Sequence, residues 1–128
     1  VLSSEAITKA KLTTPYADSF EPLHQHDDCV RIAYQWLDAQ IKTGQVNHRV
    51  TRPIKHIVES WAGRYVSQSD VEVAAHMHPG ISGRYPRFNI SSRLRRPHPR
   101  RLLGIGEAGA HPGYHDRHDA VYQNRAEP

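Results

Sequence analysis

Asp28-Cys29-Val30-Arg31-Ile32-Ala33-Tyr34-Gln35-Trp36-Leu37-Asp38-Ala39-Gln40-Ile41-Lys42-Thr43 is the stretch on which the fold class turns. Val30, Ala33, Tyr34, Leu37 and Ile41 recur at helical spacing, so a helix gathers them into one apolar stripe, whereas a strand would divide them between two faces. Asp27 and Asp28 offer an N-cap and put negative charge at the positive end of the helix dipole. Lys42 suits the C-terminal end and Gly44 is a natural stop. A helix over 28–43 is predicted.

Further along the chain the same signals repeat. Thr51 can cap a second helix, and Pro53 fits a first turn, where its missing N–H costs little. Ile54, Ile57, Val58 and Trp61 form a buried face and Gly63 a stop, which predicts a helix over 53–62. Ser69-Asp70-Val71-Glu72 has the form of a capping box. It opens a third helix over 70–77, with Val71, Ala74, Ala75 and Met77 as apolar contributors, ended by Pro79-Gly80. After the turn-rich stretch 81–87, Asn89 would cap a fourth helix over 90–96, with Ile90 and Leu94 inward. Pro97 and Pro99 forbid its continuation. Residues 101–105 are read as a short strand, and Gly104, Gly106 and Gly109 as a hairpin or loop.

Toward the N-terminus, residues 1–22 read as an arm. It carries a short helix, Ser4 to Lys11, capped by Ser3 or Ser4 and broken at Thr13-Thr14-Pro15. The organisation expected is an arm (1–22), a helical nucleic-acid-binding domain (23–109) and a polar, poorly anchored and flexible tail (110–128) with Val121 and Tyr122 as its only obvious anchors.

At 128 residues, 38% apolar and a mean hydropathy of −0.70, the chain suits one domain with a modest core. Six Tyr, two Trp and two Phe argue against wholesale disorder. A lone cysteine, Cys29, makes no internal disulfide. The first residues contain no long apolar run, and no segment approaches the ~20 apolar residues of a membrane span. A cytoplasmic protein is expected.

The net charge of +4 is less informative than its distribution. Between Glu72 and Glu107 there is no carboxylate and no Lys, while Arg84, Arg87, Arg93, Arg95, Arg96, Arg100 and Arg101 all fall there. A field of one sign attracts polyanions. Guanidinium binds phosphate bidentately, pairs with guanine edges and stacks on bases, while Lys acts as a point charge. Nucleic acid is therefore the expected partner. The plainer alternative is a solvated basic face, or Arg stems covering apolar surface.

Ser69-Asp70-Val71-Glu72-Val73-Ala74-Ala75-His76-Met77 resembles the first motif helix of a winged helix-turn-helix, and Asn89-Ile90-Ser91-Ser92-Arg93-Leu94-Arg95-Arg96 resembles its recognition helix. The resemblance covers about a fifth of the chain. It implies a mainly α fold with a small β element, winged helix-turn-helix-like, and a DNA-binding regulator of transcription. Duplex DNA is then expected over RNA, and a homodimer is possible. Arg93 and Arg96 would reach base edges or nearby phosphates. Arg84, Arg87, Arg95, Arg100 and Arg101 would hold phosphates, and Ser91 and Ser92 either. Phe88 is expected to pack in the core, while Tyr85 could pack or stack on a base. The link from Met77 to Ile90 is longer than the family's tight turn, and Pro97-His98-Pro99 replaces the run into the wing.

Ten His invite a metal reading. His24 and His26 with Asp28 could chelate if extended, and His111, His115 and His118 lie near Asp116 and Asp119. A metal-dependent hydrolase or nuclease is the alternative function. His76 and His78 on one helix would point apart. Gly104-x-Gly106 is too short for a dinucleotide fingerprint, and neither a Walker loop nor a nucleophile elbow occurs. No cofactor is expected. A module whose arginines meet an acidic partner protein is the third reading.

Overall fold

The structure, a computed structural model, describes residues 2–18, 20–48, 53–115 and 119–128. In chain order it has helices α1 (Ser4–Thr13), α2 (Asp27–Ala39), α3 (Ile54–Ala62) and α4 (Gln68–Met77), then strands β1 (Gly83–Arg84) and β2 (Arg87–Phe88). Short 3-10 turns follow at Pro99–Leu102, Pro112–Tyr114 and Asp119–Val121. The chain is mainly helical with a small two-stranded antiparallel sheet, as the sequence pattern predicts. No helix among the described residues is long and apolar enough to cross a membrane.

α1, α2 and α4 each start where a side chain takes up a free backbone N–H, whereas α3 starts after Pro53 with no side-chain cap. Ser3 caps α1 by accepting from the Ala6 N–H at 3.1 Å. His26, not an aspartate, caps α2, its Nδ1 accepting from Asp28 N at 2.9 Å; Asp27 and Asp28 occupy the first turn. α4 starts earlier than predicted, because Ser67 rather than Ser69 accepts from Asp70 N. Glu72 is thereby released to accept from the backbone N–H of Ala17 at 2.7 Å, tying the arm to α4. Thr51, expected to cap α3, lies outside the described residues. α3 ends at Gly63 as predicted, with φ +63° in the left-handed region.

α2 packs chiefly on α4, where Ala74 and Ala75 allow close approach. Val30, Ile32, Ala33, Trp36 and Leu37 are fully buried between them and the rest of the core. Burying each large side chain contributes roughly 1.5–3 kcal/mol. Ile7 brings α1 into this core, and Phe88 and Ile90 bring in the segment after the sheet.

Three local expectations are corrected. α2 stops at Ala39 instead of running to Thr43. Residues 41–43 are extended and pair antiparallel with 89–91, through Ser91 N to Ile41 O and Thr43 N to Asn89 O, each 2.8 Å. For the same reason 90–96 is not helical. The Arg95 N–H donates to Gln40 Oε1 at 2.9 Å and the Arg95 carbonyl accepts from Gln40 Nε2 at 2.8 Å. A helix would need those groups for itself. Finally, 101–105 is not a strand. The chain turns at Pro99–Leu102, where His98 Nδ1 accepts from the Arg100 N–H.

The described part of the 110–128 tail is tied down. Gly109 N and His111 N donate to the carbonyls of Ala62 and Gly63, two groups at the C-terminus of α3 that have no partner within the helix. Tyr122 Oη accepts from Trp36 Nε1 at 3.0 Å, and Glu127 N donates to Arg96 O.

Candidate nucleic-acid interface

The seven arginines of the carboxylate-free stretch divide into two groups once folded. Arg84 and Arg87 face each other across the ladder between β1 and β2, joined by Tyr85-Pro86 in a cis bond. Both side chains are exposed, as are those of Arg93 and Arg100. Among the described residues none of these four guanidinium groups has an ion-pair or hydrogen-bond partner. Like charges placed directly opposite on a ladder repel, so the hairpin holds two cations together at some cost.

The other three face inward to varying degrees. Arg95 is half-buried and helps lower the Glu127 carboxyl. Arg96 lies over the Tyr122 ring at 5.8 Å. Arg101 is clasped: its Nε and Nη2 each donate to Glu127 at 2.6 Å, and its Nη1 donates to Asp38 at 2.8 Å and Gln35 at 2.9 Å. The clasp holds Glu127 at about 2, and it raises Arg101 further above its ordinary range. Asp38 also lies below its usual value, because hydrogen bonds from His78 and Arg101 outweigh the opposing effect of its partial burial. Arg101 is thus occupied within the fold.

Ser91 and Ser92 sit beside the exposed group. Ser91 Oγ accepts from Arg93 N at 3.2 Å, forming a turn instead of the expected helix, and Ser92 is exposed. Phe88 is in the core, 1% exposed. Tyr85 is half-buried with its hydroxyl accepting from Lys55 N at 3.2 Å, and burial pushes it up to about 12. On its other side Arg84 and Tyr85 line a cleft of about 120 Å³ shared with Thr14, Glu72 and His76.

His24, His26 and Asp28 do not converge. His24 Nδ1 meets the fully buried Asp70 at 2.8 Å, and its Nε2 lies 3.2 Å from Tyr16 Oη. His26 caps α2, and Asp28 pairs with Arg31 at 2.6 Å. Among the described residues no three His, Cys, Asp or Glu side chains are arranged to hold a metal ion. His118 and Asp116 lie outside the described residues.

The sequence reading missed two things. One is the long-range role of the buried carboxylates Glu59, Asp70 and Glu72, which bond to Lys55 and Val66, to His24 and Gln25, and to Ala17. The other is the meeting of Tyr65 with His111 and Tyr114, which lie far along the chain from it and which no local pattern brings to it. Compared with protein-family models, with curated proteins and with solved structures, the chain has no match.

Proposed function

We propose that this protein binds nucleic acid through its phosphate backbone, with Arg84, Arg87, Arg93 and Arg100 as the contacting cations. The observation that carries the reading is the exposure of these four guanidinium groups without a carboxylate partner among the described residues, two of them opposed on one hairpin. Ser91, Ser92, Arg95 and Arg96 flank Arg93 in the chain, and Arg101 is occupied by Glu127 and Asp38.

The winged helix-turn-helix resemblance suggests a recognition helix at 90–96 entering the major groove. That segment is not helical, and two of the exposed arginines stand on the short hairpin instead. The reading therefore rests on phosphate contacts, which carry little sequence information, more than on base readout. A sequence-tolerant binder fits this arrangement better than a sequence-specific regulator.

Salt titration tests it. If each of the four arginines neutralises one phosphate, log K should fall with log salt at a slope of about −3.6 on duplex and about −2.8 on single strands. The double substitution Arg84→Ala with Arg87→Ala should shallow the slope by about 1.4–1.8. An absence of salt-sensitive binding to any nucleic acid at low ionic strength would refute the reading and leave an acidic protein as the partner of these arginines.

A further inference from the structure

Phe20 and Leu23 are large apolar side chains left 83% and 74% exposed. Both line one depression of about 290 Å³, to which Tyr16 and Tyr65 add two further rings. The stretch that carries them is fixed to α4 at both ends. Ala17 N donates to Glu72 at 2.7 Å, and Gln25 N donates to Asp70 at 3.1 Å. Between those ties Phe20 and Leu23 stand in water. Single exposed apolar residues are ordinary, but two beside tyrosine rings on the walls of one depression mark an interaction surface.

Negative charge surrounds these apolar walls. Asp18, Glu21 and Glu72 line the depression, and none of Arg84, Arg87, Arg93 and Arg100 does. Asp18 and Glu72 accept from the neutral Gln68 amide at 3.3 and 3.0 Å, which leaves their charges uncompensated. Glu21 is exposed and has no partner among the described residues. Lys55 also lines the depression, but its ammonium is spent on the buried Glu59 carboxylate, 2.7 Å away. It lies at the same time over the Tyr65 ring, 4.7 Å from the centroid, so that ring already receives an ammonium group. Nearby, His24 faces the buried Asp70 at 2.8 Å, and Asp70 stands in the first turn of α4, where it offsets the positive end of the helix. Glu59 and Asp70 thus answer the local positive charges, and Asp18, Glu21 and Glu72 set the sign of the surface.

We propose that this depression docks a basic segment of a partner protein, with a lysine or arginine side chain entering between the carboxylates and its alkyl stem lying along Phe20 and Leu23. Such a side chain is apolar along its length and cationic at its tip, which matches apolar walls with a negative rim. An exposed ring face attracts the same cation. A polyanion would be repelled here, and a neutral apolar segment would strip water from the carboxylates without replacing it. The size also favours one side chain of a larger partner over a free small ligand, because pockets that hold a whole ligand run from roughly 300 to 1,000 Å³. The proposal is independent of phosphate binding by the arginines, whose charge is of the other sign.

Fluorescence anisotropy with a short dye-labelled peptide of lysine, leucine and serine tests this, beside matched peptides with glutamine or glutamate in place of lysine. The protein carries a net charge of +4, so general electrostatic attraction works against the lysine peptide and any preference for it is local. The glutamine peptide should bind about 5-fold or more weakly than the lysine peptide, and the glutamate peptide more weakly still. Phe20→Ala should weaken binding of the lysine peptide about 5- to 30-fold, the range for truncating an aromatic anchor. Glu21→Gln should weaken it about 2- to 5-fold. Both side chains are exposed, so neither change disturbs the core, and equal thermal melts confirm that the variants are folded. In the unaltered protein the lysine peptide should shift the backbone amide resonances of residues 16–25 and 65–72. Equal binding of the lysine and glutamine peptides, no effect of Phe20→Ala, or shifts confined to other residues would overturn the proposal. Sedimentation that shows the protein dimerising through Phe20 while none of the peptides binds would overturn it as well, and would give the surface to a second copy of the chain.

Discussion

Arg101→Ala should destabilise the fold and leave phosphate binding nearly unchanged, the reverse of Arg100→Ala. Neighbouring arginines in the same basic run thus behave oppositely. Arg101 makes two bonds of 2.6 Å to Glu127, one of 2.8 Å to Asp38 and one of 2.9 Å to Gln35. Its side chain is 21% exposed and that of Glu127 17%, against 43% for Asp38. The Asp38 contact is therefore weighted as a surface pair, about 0–1 kcal/mol. The Glu127 carboxyl is lowered from 4.5 to about 2, chiefly by Arg101. Taken whole, that shift would correspond to about 3 kcal/mol. Water reaches the pair, so roughly 1–2 kcal/mol is the expected share, and the total for Arg101→Ala is about 1–3 kcal/mol. Because the folded carboxyl titrates below its unfolded value, its contribution is full above about 4.5 and is lost as pH falls toward about 2. The stability gap between parent and variant should thus be widest near neutrality and close across that window. Urea denaturation at a series of pH values, paired with oligonucleotide titration, measures both sides. A variant as stable as the parent that binds as poorly as Arg100→Ala would refute the clasp.

Other substitutions probe the devices that set the segment's path. Gln40→Ala strips the partners from both the N–H and the carbonyl of Arg95 in a side chain only 3% exposed. A loss of about 2 kcal/mol or more follows, with hydrogen exchange at Arg95 rising ahead of global unfolding; unchanged protection there would count against the role. Gly63→Ala puts a methyl at a φ of +63° and within 2.7 Å of the His115 ring. The backbone alone predicts a cost of about 1–2 kcal/mol, read as a lower denaturation midpoint, and an unmoved midpoint contradicts it. Cys29 is fully buried, and burial pushes its thiol up to about 12. It should react with thiol reagents only on unfolding, and prompt labelling in native buffer would be inconsistent with this.

The amino-acid pattern carries the helical class and most of the core. The i, i+3, i+4 spacing of α2 as far as Leu37, that of α3 and the stop at Gly63 are local properties that local rules read correctly, whereas Ile41, the expected last member of the α2 stripe, lies beyond the helix and is exposed. Cap residues are also local, yet two candidates compete at α4: Ser67 and Ser69 each stand three residues before an acid. The cap is Ser67, and Glu72, which a cap at Ser69 would use, instead accepts from Ala17, far back in the chain. Ile90 and Leu94 are buried as expected, at 1% and 6% exposure, but not on a helix. Positions i and i+4 share a face in extended chain as well, so their spacing could not separate the two. The deciding partners, Gln40 and residues 41–43, come from elsewhere in the chain.

Charge divides in the same way. The absence of carboxylates between Glu72 and Glu107 is a fact of composition and marks the basic stretch. Which arginines remain available depends on separation in space, since Coulomb attraction falls with distance and not with position in the chain. Asp38 and Glu127, remote in sequence on either side, fold onto Arg101 and occupy it, while Arg84, Arg87, Arg93 and Arg100 meet no such partner among the described residues. Tyr65 and Tyr114 become neighbours only because the backbone of 109–111 completes the hydrogen bonding at the end of α3. Periodicity and composition are written along the chain, whereas a binding surface is set by which distant groups the fold brings within a few ångströms.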